Sequence, residues 1–174
     1  DDDFNMPSRL AIQFSHLYKN QSAKYCFFTD QLHYYFNNKK LYWNDWSLFH
    51  SGNRKEYSLI PGTIMAWRKE FHSRYPTSGK YCSAGEDSIL AYDLLEDEDS
   101  VLLLNGHGNL HVYSYHGKNV WDIEHHEKIC RERSLPIAQL IEKREKIYET
   151  LNYLNLSDSI DIMGRDGMAF NFRN

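Results

Sequence analysis

With 174 residues the chain is long enough for one domain with a substantial core and too short for two comfortable ones. Lys and Arg total 20 against 24 Asp and Glu, a formal net charge of −4, so no polycation is present to neutralise a nucleic-acid backbone or grip an anionic membrane. Cys26, Cys82 and Cys130 lie far apart, which argues against a disulfide framework or a cysteine-based zinc site and fits a reducing cytoplasm; no apolar run reaches bilayer-spanning length.

Asp1-Asp2-Asp3 open the chain, and Pro7 with Leu10, Ile12, Phe14 and Leu17 predicts an amphipathic helix over residues 7–20. The aspartates then stand at a strand-to-helix turn. Without an initiator Met, the chain is expected to be a processed product or a fragment. Tyr25 to Thr29 reads as a strand, and Leu32–Phe36 and Leu41–Trp46 as a hairpin or a bent extended segment about Asn37-Asn38. Residues 47–57 read as a mobile loop. Ser58 to Trp67 reads as β-prone sequence broken at Pro61-Gly62, followed by a short helix at 68–73 and a loop at Tyr75–Gly79. Glu86-Asp87 begin a helix through Leu94, and Val101–Leu104 with Leu110–Tyr115 read as a hairpin about Asn105-Gly106. Residues 122–132 and 136–155 are expected to be helical, and 157–174 carry no clear signal.

Several constellations could carry chemistry, each with a plainer alternative. The opening aspartates are either a metal or phosphate site or a solvated acidic terminus. Glu86-Asp87 are either an N-terminal charge pattern or, at the edge of a groove, a general base with a supporting carboxylate. His107 and His111 are poorly spaced for zinc on one helical face, and His125-His126 read as a solvated face. His116 ends a strand, where ligands to a substrate-bound cation gather. Trp43, Trp46, Trp67 and Trp121 with Tyr34, Tyr35 and Tyr42 are core residues one by one, but as a set they suit stacking on carbohydrate. The run Glu96 to Asp99 reads as a solvated helix end.

Taken in order, Asp1-Asp2-Asp3 with Pro7-Ser8-Arg9-Leu10, Pro61 to Arg68, Gly85-Glu86-Asp87-Ser88 and Tyr113 to Trp121 resemble the family 2 glycosyltransferases of the GT-A fold over residues 1–130. The resemblance implies an inverting transferase in which aspartates of a DxD motif (Asp2, with Asp1 or Asp3 in another register) hold Mg²⁺ or Mn²⁺ on a nucleotide-sugar diphosphate. It further implies Asp87 as the base for the acceptor hydroxyl, with Glu86 in support, and His116 as a ligand to metal or diphosphate. Gly62, Thr63, Trp67, Lys118, Asn119 and Trp121 would contact substrate. The nucleoside-binding units of that family precede its DxD motif, so the chain resembles the acceptor-side half, and weak donor binding by that half alone is expected.

The fold expected on this basis is α/β: a truncated GT-A mixed sheet flanked by helices, with residues 1–132 the partial transferase domain and 133–174 a C-terminal helical extension and tail. Expected partners are a nucleotide-sugar donor and a glycan or lipid-linked glycan acceptor, in a bacterial cytoplasm, with or without peripheral association at the inner face of the membrane. Two further classes compete: a non-enzymatic glycan-binding module, and a histidine-based metal hydrolase.

Overall fold

A computed structural model describes residues 3–48, 54–71, 85–119, 121–156 and 159–173. Asp1, Asp2, Cys82 and the expected loop at Tyr75–Gly79 lie outside these residues, as do 49–53 of the expected 47–57 loop. The chain folds as α/β, with a mixed six-stranded sheet flanked by helices and a second sheet of three strands.

Tyr25–Phe28 (β2) is buried at every position because both its faces are covered. It pairs in parallel with Val101–Leu104 (β6) and antiparallel with Met65–Ala66 (β5). Cys26 and Phe28 pack toward helix Ser8–Lys19 (α1), while Tyr25 and Phe27 pack against Leu90, Ala91 and Leu94 of helix Glu86–Leu94 (α3). One residue later the chain enters the larger sheet. Thr29 bridges the two, its N–H donating to Leu104 O and its carbonyl accepting from Trp46 N.

The six-stranded sheet has the order β1-β7-β3-β4-β8-β9. Asp30–Tyr35 (β3) and Lys40–Asp45 (β4) form the expected hairpin, closed by a turn in which Lys39 adopts a left-handed φ of 54°. Phe4–Asn5 (β1) pairs antiparallel with His111–Tyr115 (β7), which lies parallel to β3. Thus the hairpin expected over 101–115 does not form, because β6 and β7 belong to different sheets. The Asn105–Asn109 segment carries the chain between them, with Gly106 at φ 77° and a 3-10 turn at Gly108–Leu110. Its turn-forming residues have the composition of a reversal, whereas strand pairing follows which hydrophobic face each strand can bury.

Three further expectations are corrected. Much of the β-prone segment 58–67 is wound into 3-10 turns at Arg54–Leu59 and Pro61–Thr63. The helix expected over 136–155 is split at Lys143 into Ile137–Glu142 (α5) and Arg144–Tyr153 (α6). Within 133–174, expected as helix and tail, Ile160–Gly164 (β8) and Gly167–Phe172 (β9) pair with each other, and β8 extends the sheet beside β4. The expected 68–73 helix is seen as Arg68–Phe71 (α2), and Ile123–Arg133 (α4) is capped by Asp122 accepting from His125 N at 2.9 Å.

The two faces of the large sheet differ in chemistry, and this difference places the site. Leu32, Tyr34, Leu41, Trp43, Val112 and Ile162 share one face and bury it under Leu140, Ile147 and Leu151 of α5 and α6. Register puts Asn5, His111, Tyr113, Gln31, His33 and Asn44 on the other. Cys130 of α4 packs with Tyr35 and Tyr115 on that polar face, so it too is buried, and its polar groups need partners inside the protein.

Candidate functional site

Asp3 is where the separated motifs meet. Its Oδ1 accepts from Ser114 N at 2.9 Å, on the strand that ends at His116, and its Oδ2 lies 3.7 Å from His111 Nε2. A Cβ added at Gly62 would stand 2.9 Å from His111 Nε2 and 3.9 Å from Asp3 Oδ2, so only glycine lets this turn approach so closely. The same Pro61–Thr63 turn packs against α3, whose first turn carries Glu86 and Asp87. Gly62 stands 59 residues from Asp3, 24 from Glu86 and 49 from His111, and its turn packs against the elements that carry them.

Arg9 holds this junction together. Its guanidinium donates to Asn5 Oδ1 and to the Gly62 carbonyl, and its Nη1 lies 3.2 Å from His111 Nδ1. Burial pulls the Arg9 pKa down, opposed by Cys26 and Asp3. One turn on, Gln13 Nε2 donates to Thr63 O at 2.8 Å. The stripe of α1 turned inward is therefore Arg9, Gln13 and Leu17, while Leu10, Phe14 and Tyr18 face solvent. This corrects the apolar-face assignment of the sequence: the polar stripe is buried because β7 and the Gly62 turn offer it acceptors.

The remaining expected site residues fall into two groups. His116 is held in a tight loop: its N–H donates to Asn119 Oδ1 at 3.0 Å, and its Nδ1 accepts from Lys118 N at 3.2 Å. Accepting at Nδ1 places the ring proton on Nε2, which suits donation to an anionic oxygen and leaves no lone pair there for a metal. Asn119 also donates to Ser114 O and Tyr113 Oη, tying the loop to β7. Trp121 is 56% exposed and stacks on His125 with ring centroids 5.0 Å apart, a platform open to solvent. By contrast, the Thr63 hydroxyl donates inward to Ile60 O, and Trp67 Nε1 donates to Ala23 O while its ring meets Phe14 edge-on. Of the aromatic set, Trp43, Trp46, Tyr34 and Tyr35 are buried core.

Histidines occupy the polar face more deeply than their sequence positions suggest. His126, expected on a solvated face, is buried against His33, Tyr113 and Tyr115. His107 and His111 diverge, His107 stacking on Phe28. Among the described residues no group of three or more His, Cys, Asp or Glu side chains is arranged to hold a metal ion. Cys26 and Cys130 are unpaired and buried. Glu96 and Asp97 of the acidic run pair at the surface with Lys55 and Lys24. No helix among the described residues is long and apolar enough to cross a membrane.

Burial pushes the His111 imidazole down to about 3, helped by Arg9, and that of His126 down to about 4, helped by His125. An unfolded chain protonates both near pH 6.5, so their contribution to stability is complete above that pH and is lost as pH falls toward 3 to 4. By pH 4.5 the loss is on the order of 2–3 kcal/mol per histidine. Urea unfolding at pH 7 and pH 4.5 should show a large fall in midpoint, and His126→Gln should reduce that fall; an equal fall in the variant would remove His126 from the explanation.

No family model, curated protein or solved structure matches this chain. Its α/β architecture and the Asp3 junction are thus the basis for any functional reading.

Proposed function

We propose that the chain is the acceptor-side portion of an inverting, metal-dependent glycosyltransferase of the GT-A type, moving a sugar from a nucleotide-sugar to a glycan or lipid-linked glycan acceptor. The observation that carries this reading is the junction at Asp3. Asp3, the glycine turn, the helix bearing Asp87 and the strand leading to His116 lie apart in sequence, yet the turn packs against both the helix and the strand, and Asp3 is bonded to the strand.

In this reading Asp87 is the base that takes the acceptor hydroxyl proton as that oxygen attacks the anomeric carbon. Its Oδ1 accepts from Ser88 N at 2.8 Å, and α3 is anchored by Leu90, Ala91 and Leu94, so the carboxylate is carried on a rigid element. His116 serves as a donor to the diphosphate oxygens, in keeping with the proton on Nε2. Asp3 turns inward to β7, and Asp1 and Asp2 are the residues that would hold Mg²⁺ or Mn²⁺. The ion supplies charge stabilisation for the departing diphosphate. Exposed Trp121 offers its ring face to a sugar.

The site belongs, on this account, to a bacterial cytoplasmic enzyme working at the inner face of the membrane. A transfer assay on the full-length protein with a panel of nucleotide-sugars tests it. Transfer should require Mg²⁺ or Mn²⁺, stop on chelation and return when the ion is restored; nucleotide-sugar turnover unaffected by chelation would refute the metal-dependent reading.

A further inference from the structure

Tyr113 of β7 stands where the His116 loop meets the sheet. Its hydroxyl accepts from Asn119 Nδ2 at 3.2 Å, and His126 Nε2 of α4 lies 3.4 Å from the same oxygen. The Asn119 amide is oriented by backbone groups on both sides: its Nδ2 donates to Ser114 O at 2.9 Å, and its Oδ1 accepts from His116 N at 3.0 Å. Because Nδ2 faces the phenol oxygen as a donor, the Tyr113 O–H donates onward to His126 Nε2, and the His126 ring proton sits on Nδ1. Burial keeps that ring neutral, pushing it down to about 4.

The same side chains are packed as well as bonded. Tyr113 lies 5.1 Å from the His33 ring and 5.3 Å from that of His126, and both histidines are buried. His126 in turn meets Tyr115 at 4.8 Å and His125 at 5.5 Å, and His125 carries the exposed Trp121 at 5.0 Å. A run of rings thus leads from Trp121 through His125 and His126 to Tyr113, and hydrogen bonds continue it through Asn119 to His116. Asn119 is only half-buried, beside exposed Gly117 and Lys118, so water can compete for its amide. The phenol, anchored among buried rings, holds that amide in place.

We propose that Tyr113 and His126 are positioning residues which set the His116 loop against the Trp121 platform, so that one nucleotide-sugar can place its diphosphate on His116 and its sugar on Trp121. What His116 and Trp121 contact rests on the transferase reading; Tyr113 and His126 act through Asn119 and do not touch the donor. A loop held this way keeps His116 Nε2–H aimed before the diphosphate departs. Displacing such a group by about 1 Å costs turnover about 10²-fold.

Double-mutant kinetics and the nitrogen NMR signals of the His116 ring, both in the full-length protein, test this together. Tyr113→Phe removes only the hydroxyl and should lower kcat about tenfold to a hundredfold, with little change in the acceptor KM, and should mix the two ring tautomers of His116. In a His116→Ala background the same change should cost nothing further, because its route to the chemistry is gone. His126→Leu should repeat the loss, and His126→Gln, which keeps an acceptor for the Tyr113 hydroxyl, should recover most of it. Wild-type turnover in Tyr113→Phe, losses that add in the double variant, or a His116 ring signal that Tyr113→Phe leaves unaltered overturns the proposal. A full-length protein that transfers no sugar fails the transferase reading instead, and the ring signal then decides alone whether Tyr113 and His126 hold the loop.

Discussion

On the transferase proposal, replacing Asp87 with Asn in the full-length protein is expected to lower turnover by about 10² to 10⁴, the range a positioned general base contributes. Asn keeps the size of the side chain and an oxygen able to accept from Ser88 N, the contact Asp87 makes at 2.8 Å. Helix α3 should therefore remain in place, with Leu90, Ala91 and Leu94 still buried. Basicity is what the substitution removes, so the loss should appear in kcat with little change in the KM for the donor. Glu86→Gln should have a smaller effect. Unchanged turnover in Asp87→Asn would remove the general-base assignment.

Gly108→Ala is expected to be the most damaging of the small substitutions to stability. A Cβ there would stand 2.6 Å from Trp43 Nε1, 2.9 Å from Trp43 Cε2 and 3.0 Å from Asp30 Oδ2. None of these atoms can yield easily. Trp43 is fully buried and donates to Asp30 Oδ2 at 2.7 Å, and Asp30 also accepts from His107 N at 3.1 Å. Burial, reinforced by Asp45, raises the Asp30 carboxyl to about 6, and the Trp43 indole, the largest of the donors that offset this, is the group the new methyl would crowd. Overpacking of this kind costs about 3 kcal/mol, or roughly 6–12 °C in Tm for a chain of this size. A fall below about 2 °C would show that the turn at residues 107–110 yields without strain.

Much of the local structure was legible in the sequence, for reasons that separate cleanly. The α1, β2, β3–β4 and α3 segments carry periodicity or turn chemistry that acts over a few residues, and the structure places them where that pattern does. Which strands share a sheet was less legible. Asn105-Gly106 has the composition of a hairpin turn, yet β6 and β7 part company there, because pairing is decided by contacts across the whole chain. The β8–β9 pair was missed because its burial alternates only partly and it sits at a sheet edge.

The candidate site shows the same division. Motif residues such as Asp3, Gly62, Asp87 and His116 stood out by type and spacing, whereas the residues that join them did not. The amphipathic pattern of α1 rests on Leu10, Ile12, Phe14 and Leu17 and leaves Arg9 and Gln13 outside it, and His111 enters only as a poorly spaced zinc ligand, since nothing local signals that a polar stripe will be buried. The spacing of Arg9, Gln13 and Leu17 at four-residue intervals was the available clue, a second stripe on the helix that could equally have faced inward. His126 was missed for a related reason, as adjacent histidines on a helix point in different directions and only packing shows which is covered.

Paramagnetic broadening by Mn²⁺ in the isotope-labelled full-length protein, with a nucleoside diphosphate present, locates a metal–nucleotide site on the fold. With Mn²⁺ and the nucleotide, amide signals around Asp3, Gly62, Asp87 and His116 should broaden together, and with Mg²⁺ in place of Mn²⁺ they should stay sharp. Broadening confined to other parts of the fold, or no specific broadening at saturating nucleotide, would contradict that expectation.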